Sequence, residues 1–293
     1  AEYPDNRFGK NRGIPTYNEG GRGESLLGID MTASYIAGLN AYIEMLQLRG
    51  NGQDAAKYMD KRSKEINFLN SFWWDPSKGM IKSILYKDQT FDYFLVGQDQ
   101  AFLHYLLYFD VLTDPNQIED IIGWYEENHH RLIVELKSYL PIVFYENNLT
   151  ETATEMIIDL CDEENPRRDY PENSFTVIEH VTRGLMGINV TAEKIQTLSR
   201  LGEKQRWASV DGVAIRGTLI GVKHHGKNKT VFENQGESEL VWKAQFEGDY
   251  DYVEVNKKRI KALKEDTTGK TISYVTVPVA ARETLLAQGV TPK

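Results

Sequence analysis

The chain has little of what marks several common protein classes. A single cysteine, Cys161, stands in 293 residues, so no disulfide can form within it, and one thiol fits either redox compartment. No apolar run reaches about eighteen residues, so nothing reads as a membrane-spanning helix. No basic stripe is visible either: 34 Lys and Arg are interspersed among 43 Asp and Glu, giving a net charge of −9, which argues against a nucleic-acid partner. The start lacks a basic stretch followed by an apolar core, so no signal peptide is expected in it. Residue 1 is alanine rather than methionine, which fits a leader already removed and leans toward a secreted or periplasmic setting. The six histidines include two adjacent pairs, His129-His130 and His224-His225, whose side chains diverge on a helix or strand. His104 and His180 read as core residues, and Cys161 as structural. No metal or cofactor is expected.

What is present is a hydrophobic content of 41%, enough for one large domain or two ordinary ones. Residues 1–28 are loop-like, with six Gly and two Pro. From Met31 to Leu48 apolar residues fall on nearly every face, which predicts a buried helix ended by Gly50-Asn51-Gly52. An amphipathic helix over 53–72 follows, and a buried helix with a half-exposed partner is the pattern of concentric helical rings. The pattern repeats with a helix over 98–111 and another over 116–128, the latter opened by Thr113-Asp114-Pro115, a side-chain cap before a first-turn proline. One helix or a pair interrupted by Pro141 is expected over 131–161, and a last helix over 174–185. After Gly187 the period changes to two. Val213–Val222, Thr230–Glu233, Glu239–Phe246 and Ile272–Val279 read as strands, with hairpin turns such as His225-Gly226-Lys227-Asn228. The expected class is mainly α, with a helical region over 1–190 and a small β-sandwich-like domain over 191–293.

Three segments resemble the (α/α)6 toroid, or six-hairpin, glycoside hydrolases of the trehalase-like, glucosidase-like and rhamnosidase-like kinds. Leu27-Gly28-Ile29-Asp30-Met31-Thr32-Ala33 is similar to the V-D-L-N-A opening of an inner helix. Phe72-Trp73-Trp74-Asp75-Pro76 with Lys78-Gly79-Met80 is similar to the F-W-D-x-x-x-G-x-Y hairpin between helix pairs. Tyr170-Pro171-Glu172 through Gly184-Leu185-Met186-Gly187-Ile188 resembles the last inner helix and its passage into a β-domain in many bacterial members. The resemblance spans roughly residues 1–245 and implies the C-terminal half of a toroid with its β-tail. A closed toroid needs twelve helices and six or seven are read here. A second chain or an N-terminal segment is therefore expected to complete the ring.

The resemblance implies a glycoside hydrolase acting on an oligo- or polysaccharide-derived glycoside, inverting and without cofactor. Inversion needs two carboxyl groups about 6.5–9.5 Å apart, one protonated to assist the leaving oxygen and one ionised to activate water. In toroids both sit on loops around the inner helices. Asp5, twenty-five residues ahead of Asp30, is either one of the pair or part of a frayed terminus. Glu172 precedes the last inner helix and is either the base, in the field of the helix N-terminus, or a plain first-turn glutamate. Glu146 and Glu164 stand behind it as alternative bases. Arg22 and Glu24, in the Gly-rich stretch that opens at Tyr17, are placed to hydrogen-bond sugar hydroxyls, and Tyr17 and Tyr170 are further substrate contacts. Trp74 is a stacking platform for a sugar ring, and at least one of Trp73 and Trp74 packs in the core. Two other readings stay open: a non-catalytic carbohydrate-binding or assembly subunit, and a polysaccharide lyase with a Tyr or His base.

Overall fold

The computed structural model describes residues 15–16, 25–93, 103–165, 169–267 and 269–291. The chain separates into two compact units, Ala1–Lys137 and Ser138–Lys293. Among the described residues about 32% are strand, in three sheets, so the expectation of a mainly-α class is corrected to helices and strands together. The strand share was underread because several strands carry mixed exposure. Leu263–Thr267, with sequence LKEDT, has no buried residue and looks like a loop on hydropathy alone.

In the first unit β1 (Ser25–Gly28) leads into α1 (Ile29–Leu48), which pairs with α2 (Gly52–Phe72). Between the helices Gly50 takes a positive φ, and the Asn51 side chain caps α2 by accepting from the Asp54 N–H. The buried residues of α1 (Ile29, Ala33, Ile36, Leu39, Ile43 and Leu46 among them) recur every three or four positions and form one stripe. Tyr42, Met45 and Leu48 stay exposed on the far side, so α1 is not buried all round as its apolar sequence suggested. α2 buries only Ala55 and Leu69 and meets α1 through the edge-to-face rings of Tyr42 and Tyr58 and the Arg62–Asn40 hydrogen bond. The expected helical pair is present.

A hairpin follows. β2 (Trp74–Asp75) pairs with β3 (Met80–Tyr86), which also pairs with β1 and with β4 (Phe91–Tyr93). Its turn is tied by Asp75, whose carboxylate accepts from the Ser77 N–H and hydroxyl and from the Tyr93 hydroxyl. Of the stretch predicted as a helix over 98–111, the described part holds the short α3 (His104–Tyr108). α4 (Pro115–Asn128) starts as its sequence predicts, with Asp114 accepting from the Asn116 N–H and Pro115 in the first turn. A short α5 (Val134–Lys137) closes the unit.

The second unit opens with α6 (Leu140–Glu146), α7 (Thr150–Cys161) and α8 (Pro171–Glu179), the last continuing as a π-turn over His180–Leu185. Pro141 begins α6 rather than breaking a longer helix, because a first-turn proline has no N–H to lose. Cys161 is exposed at the end of α7, which corrects its structural reading.

The strands run β5 (Asn189–Val190), β6 (Ile195–Leu198), β7 (Trp207–Ile215), β8 (Thr218–His225), β9 (Lys229–Asn234), β10 (Leu240–Glu247), β11 (Tyr252–Val255), β12 (Lys258–Lys261), β13 (Leu263–Thr267), β14 (Lys270–Val279) and β15 (Thr284–Val290). One sheet has the order β13-β14-β10-β6-β5, the other β12-β11-β15-β9-β8-β7. Residues 213–222, read as one strand, are two. Arg216 and Gly217, both at positive φ, make the two-residue turn between β7 and β8, a geometry whose twist suits a hairpin. Both sheets contribute to one core, centred on Phe232 of β9 stacked on Trp242 of β10 at 4.9 Å between ring centres. The buried indole N–H of Trp242 donates to the Thr197 hydroxyl. Burying each large apolar side chain of this kind contributes about 1.5–3 kcal/mol.

Candidate functional site

The β2–β3 turn and one face of α4 enclose a cleft of about 130 Å³ in the first unit. Gln117, Asp120, Ile121 and Trp124 recur at the three- and four-residue spacing of a single helix face and line one side. Trp74, Met80 and Ile81 of the hairpin line the other, with Leu103. Two indoles, a carboxylate and a carboxamide thus converge on a small, mostly apolar hollow. The neighbouring Trp73 has no exposure, whereas Trp74 is half-buried, so the Trp pair divides into one core residue and one cleft residue, as its sequence suggested. Asp120, Gln117 and Trp124 escaped the sequence reading. The i, i+3, i+4, i+7 pattern was visible in α4, but that it faces Trp74 is a tertiary fact.

A second feature lies at the start of α1. Asp30, in its first turn, is 2% exposed, and its carboxyl accepts a hydrogen bond from the buried Thr16 hydroxyl at 3.2 Å. Burial lifts its pKa to about 7, against the smaller lowering by hydrogen bonds from the Met31 backbone and Thr16. The Gly28 N–H donates to the Pro15 carbonyl, and a Cβ on Gly28 would stand 2.0 Å from an Asp30 carboxyl oxygen. Residues 15–16 are thereby pinned to the head of α1 around a carboxyl that keeps its proton near neutrality.

Of the residues expected to bear function, Asp5, Tyr17, Arg22 and Glu24 lie outside the described residues. Glu172 is half-buried in the first turn of α8, and Tyr170 caps that helix, its carbonyl accepting from the Asn173 N–H. Glu146 ends α6 half-buried and Glu164 is exposed after α7. Glu172 and Tyr170 belong to the second unit and Trp74 to the first. His180 and His104 are both buried, as their core reading has it. The His180 ring nitrogen Nε2 lies in hydrogen-bond contact with the Ser138 carbonyl, and burial lowers its pKa to about 4. No helix among the described residues is long and apolar enough to cross a membrane.

No family model matches the chain, and neither does any curated protein. Among solved structures it is similar to a human-microbiome protein described as a kojibiose phosphorylase, at 10% identity and a TM-score of 0.39, over 62% of this chain and 25% of that one. It is also similar to a GH127 β-L-arabinofuranosidase from Geobacillus stearothermophilus T6, at 8% identity and a TM-score of 0.34, over 95% of this chain and 46% of that one. The chain therefore spans a quarter of the first protein's length and about half of the second's.

Proposed function

We propose that this is a carbohydrate-active protein, a glycoside hydrolase working through a carboxyl pair. The observation that carries the reading is the cleft between Trp74 and Trp124. An indole face accepts the C–H face of a pyranose, while Asp120 and Gln117 supply an acceptor and a donor for its hydroxyls. In this reading residues 1–190 form the helical catalytic region and 191–293 a β-sandwich-like domain. Asp5 and Glu172 are the acid and base of an inverting reaction, and Tyr17, Arg22, Glu24, Trp74 and Tyr170 are the substrate contacts.

The test is a panel of nitrophenyl glycosides and oligosaccharides assayed for release of the aglycone or reducing ends. Glu172→Gln should remove hydrolysis, by at least about 100-fold, while leaving the thermal transition in place. Trp74→Ala should raise KM by about tenfold. Full activity in Glu172→Gln removes that residue from the mechanism, and an unaltered KM in Trp74→Ala removes the cleft.

A second reading, an assembly subunit completed by a partner chain or N-terminal segment, draws support from exposed apolar residues in the second unit. Phe175 (72% exposed) and Ile178 (63%) share a face of α8, and Ile158 of α7 is 67% exposed. Surface of this kind favours a covering partner. Light scattering after size exclusion decides it: a monomer at micromolar concentration argues against a self-completed ring.

A further inference from the structure

The six-stranded sheet has two unlike faces. Its inner face is committed to the core through Val222, His224, Thr230 and Phe232, all nearly without exposure. The outward residues of β7, β8 and β9 alternate with these, and at one end of the sheet they include an indole, an imidazole and two ammonium groups. Trp207, on the edge strand β7, stands directly across from His225 of β8, which stands across from Lys229 of β9. Lys223 lies two residues from His225 on the same face, and its ammonium sits 5.1 Å from the centre of the Trp207 ring. The indole is 59% exposed, an unusual position for the largest apolar side chain.

These cations lack the partners that other lysines of the same unit have. Lys243 is held by Glu265, Lys264 by Asp249, and Lys227 and Lys270 by Glu247. Among the described residues no ion pair involves Lys223 or Lys229. The His225 imidazole shows the local field: desolvation first, then the charges of Lys223 and Lys229, hold its pKa below the ordinary value. A chain of net charge −9 thus carries a small patch of uncompensated positive charge around an open aromatic face. Such a patch answers a ligand that offers a flat C–H face and a carboxylate or sulfate together.

We propose that Trp207, Lys223, His225 and Lys229 form a surface site for an anionic polysaccharide, one acidic group per sugar, laid across the open face of the β7–β9 sheet. The sugar ring stacks on the indole, and the acidic group of the same or the next residue takes the place between the two ammonium groups. A nucleic acid fits less well. Its affinity comes from some six to ten phosphate contacts, more than two lysines can supply against an acidic background. The site lies in the second unit and does not depend on the hydrolytic reading of Trp74 and Glu172.

The experiment uses the full chain and titrates it with polygalacturonate, with neutral dextran of similar length, and with a single-stranded RNA, following Trp fluorescence and calorimetry. Polygalacturonate binding that weakens as salt rises, with dextran and RNA both at least about tenfold weaker, is the expected result. Trp207→Ala and the double substitution Lys223→Gln with Lys229→Gln should each reduce polygalacturonate affinity by about tenfold with an unchanged melting temperature. Trp74→Ala and Glu172→Gln should leave it within about twofold. Absence of polygalacturonate binding, equal binding by the Trp207 and lysine variants, or tighter binding of RNA or dextran overturns the proposal. Loss of hydrolysis in Glu172→Gln with this binding retained separates the two sites.

Discussion

In each unit of this chain burial shifts the titration of an interior group, and the two shifts run in opposite senses. The first closes around a carboxyl, Asp30, which burial drives toward its protonated form. The second closes around two imidazoles, His180 and His224, which burial drives toward their neutral form. His224 spans two elements: Nδ1 lies 2.8 Å from the Thr230 hydroxyl and Nε2 3.0 Å from the Met186 carbonyl. A carbonyl only accepts, so Nε2 carries the proton and Nδ1 accepts from Thr230. In both units the low-dielectric interior selects the uncharged form, yet the consequences for pH run in contrary directions.

The largest effect expected on this contrast comes from Gly187, where the second unit passes from helix to strand. Its φ is +54°, and a Cβ would stand 2.1 Å from the Leu198 carbonyl oxygen, which is backbone and cannot step aside. Gly187→Ala should destabilise the second unit by about 4 kcal/mol or more, read as lost hydrogen-exchange protection in β6 and β10, while α1 keeps its own. Equal loss in both units would show that they unfold as one.

The next effect is that of Asp30. Its folded pKa, about 7, lies above the unfolded value of 3.8, so the stability it contributes is complete below pH 3.8 and is lost as pH rises through 7. The difference amounts to about 4 kcal/mol across that window. Asp30→Asn keeps the shape without the titration. Its stability relative to the natural chain should improve by about that amount between pH 3.5 and pH 8, as measured by urea unfolding. A constant difference would mean that Asp30 titrates in the folded chain as it does in the unfolded one.

His180 and His224 give the opposite slope. Their folded pKa of about 4 lies below 6.5, so the stability of the neutral imidazoles is complete above pH 6.5 and is lost as pH falls through 4. Each contributes about 3 kcal/mol over that window. Acidification from pH 7 to pH 4 should therefore release exchange protection in β8 and β9 before α1 loses any. Protection lost first from α1 would reverse the contrast. The smallest effect belongs to Cys161→Ser, which should stay within about 0.5 kcal/mol because the thiol is exposed.

How much of this was legible in the sequence differs between local and tertiary features. The Asp114 cap with its first-turn proline and the Gly50 bend follow from short-range chemistry and stand as expected, whereas which of Trp73 and Trp74 packs in the core needed the fold. The β7–β8 turn did not show itself, because Arg216 gives no sign of a positive φ and the alternation runs straight through it. The edge strand Trp207–Ile215 alternates exposed and half-buried residues, but the irregularity between Val210 and Val213 breaks its period of two. α1 looked buried all round because hydropathy alone does not tell a core-facing leucine from an exposed one such as Leu48. The cleft was half visible: Trp74 stood out, whereas its partners on α4 needed the fold to bring them opposite.

The π-turn over His180–Leu185 carries one more lesson. Its last carbonyls draw donors from downstream: the Arg200 guanidinium donates to the Arg183 and Gly184 carbonyls, and the Arg200 backbone N–H to that of Leu185. A chain cut at residue 190 would take the Arg200 donors from the Arg183 and Leu185 carbonyls and leave Gly184 only its local partner, the Gly187 N–H. The strand-rich tail is thus a terminator for the last helix, and truncations meant to isolate the helices must run past Arg200 to keep α8 intact.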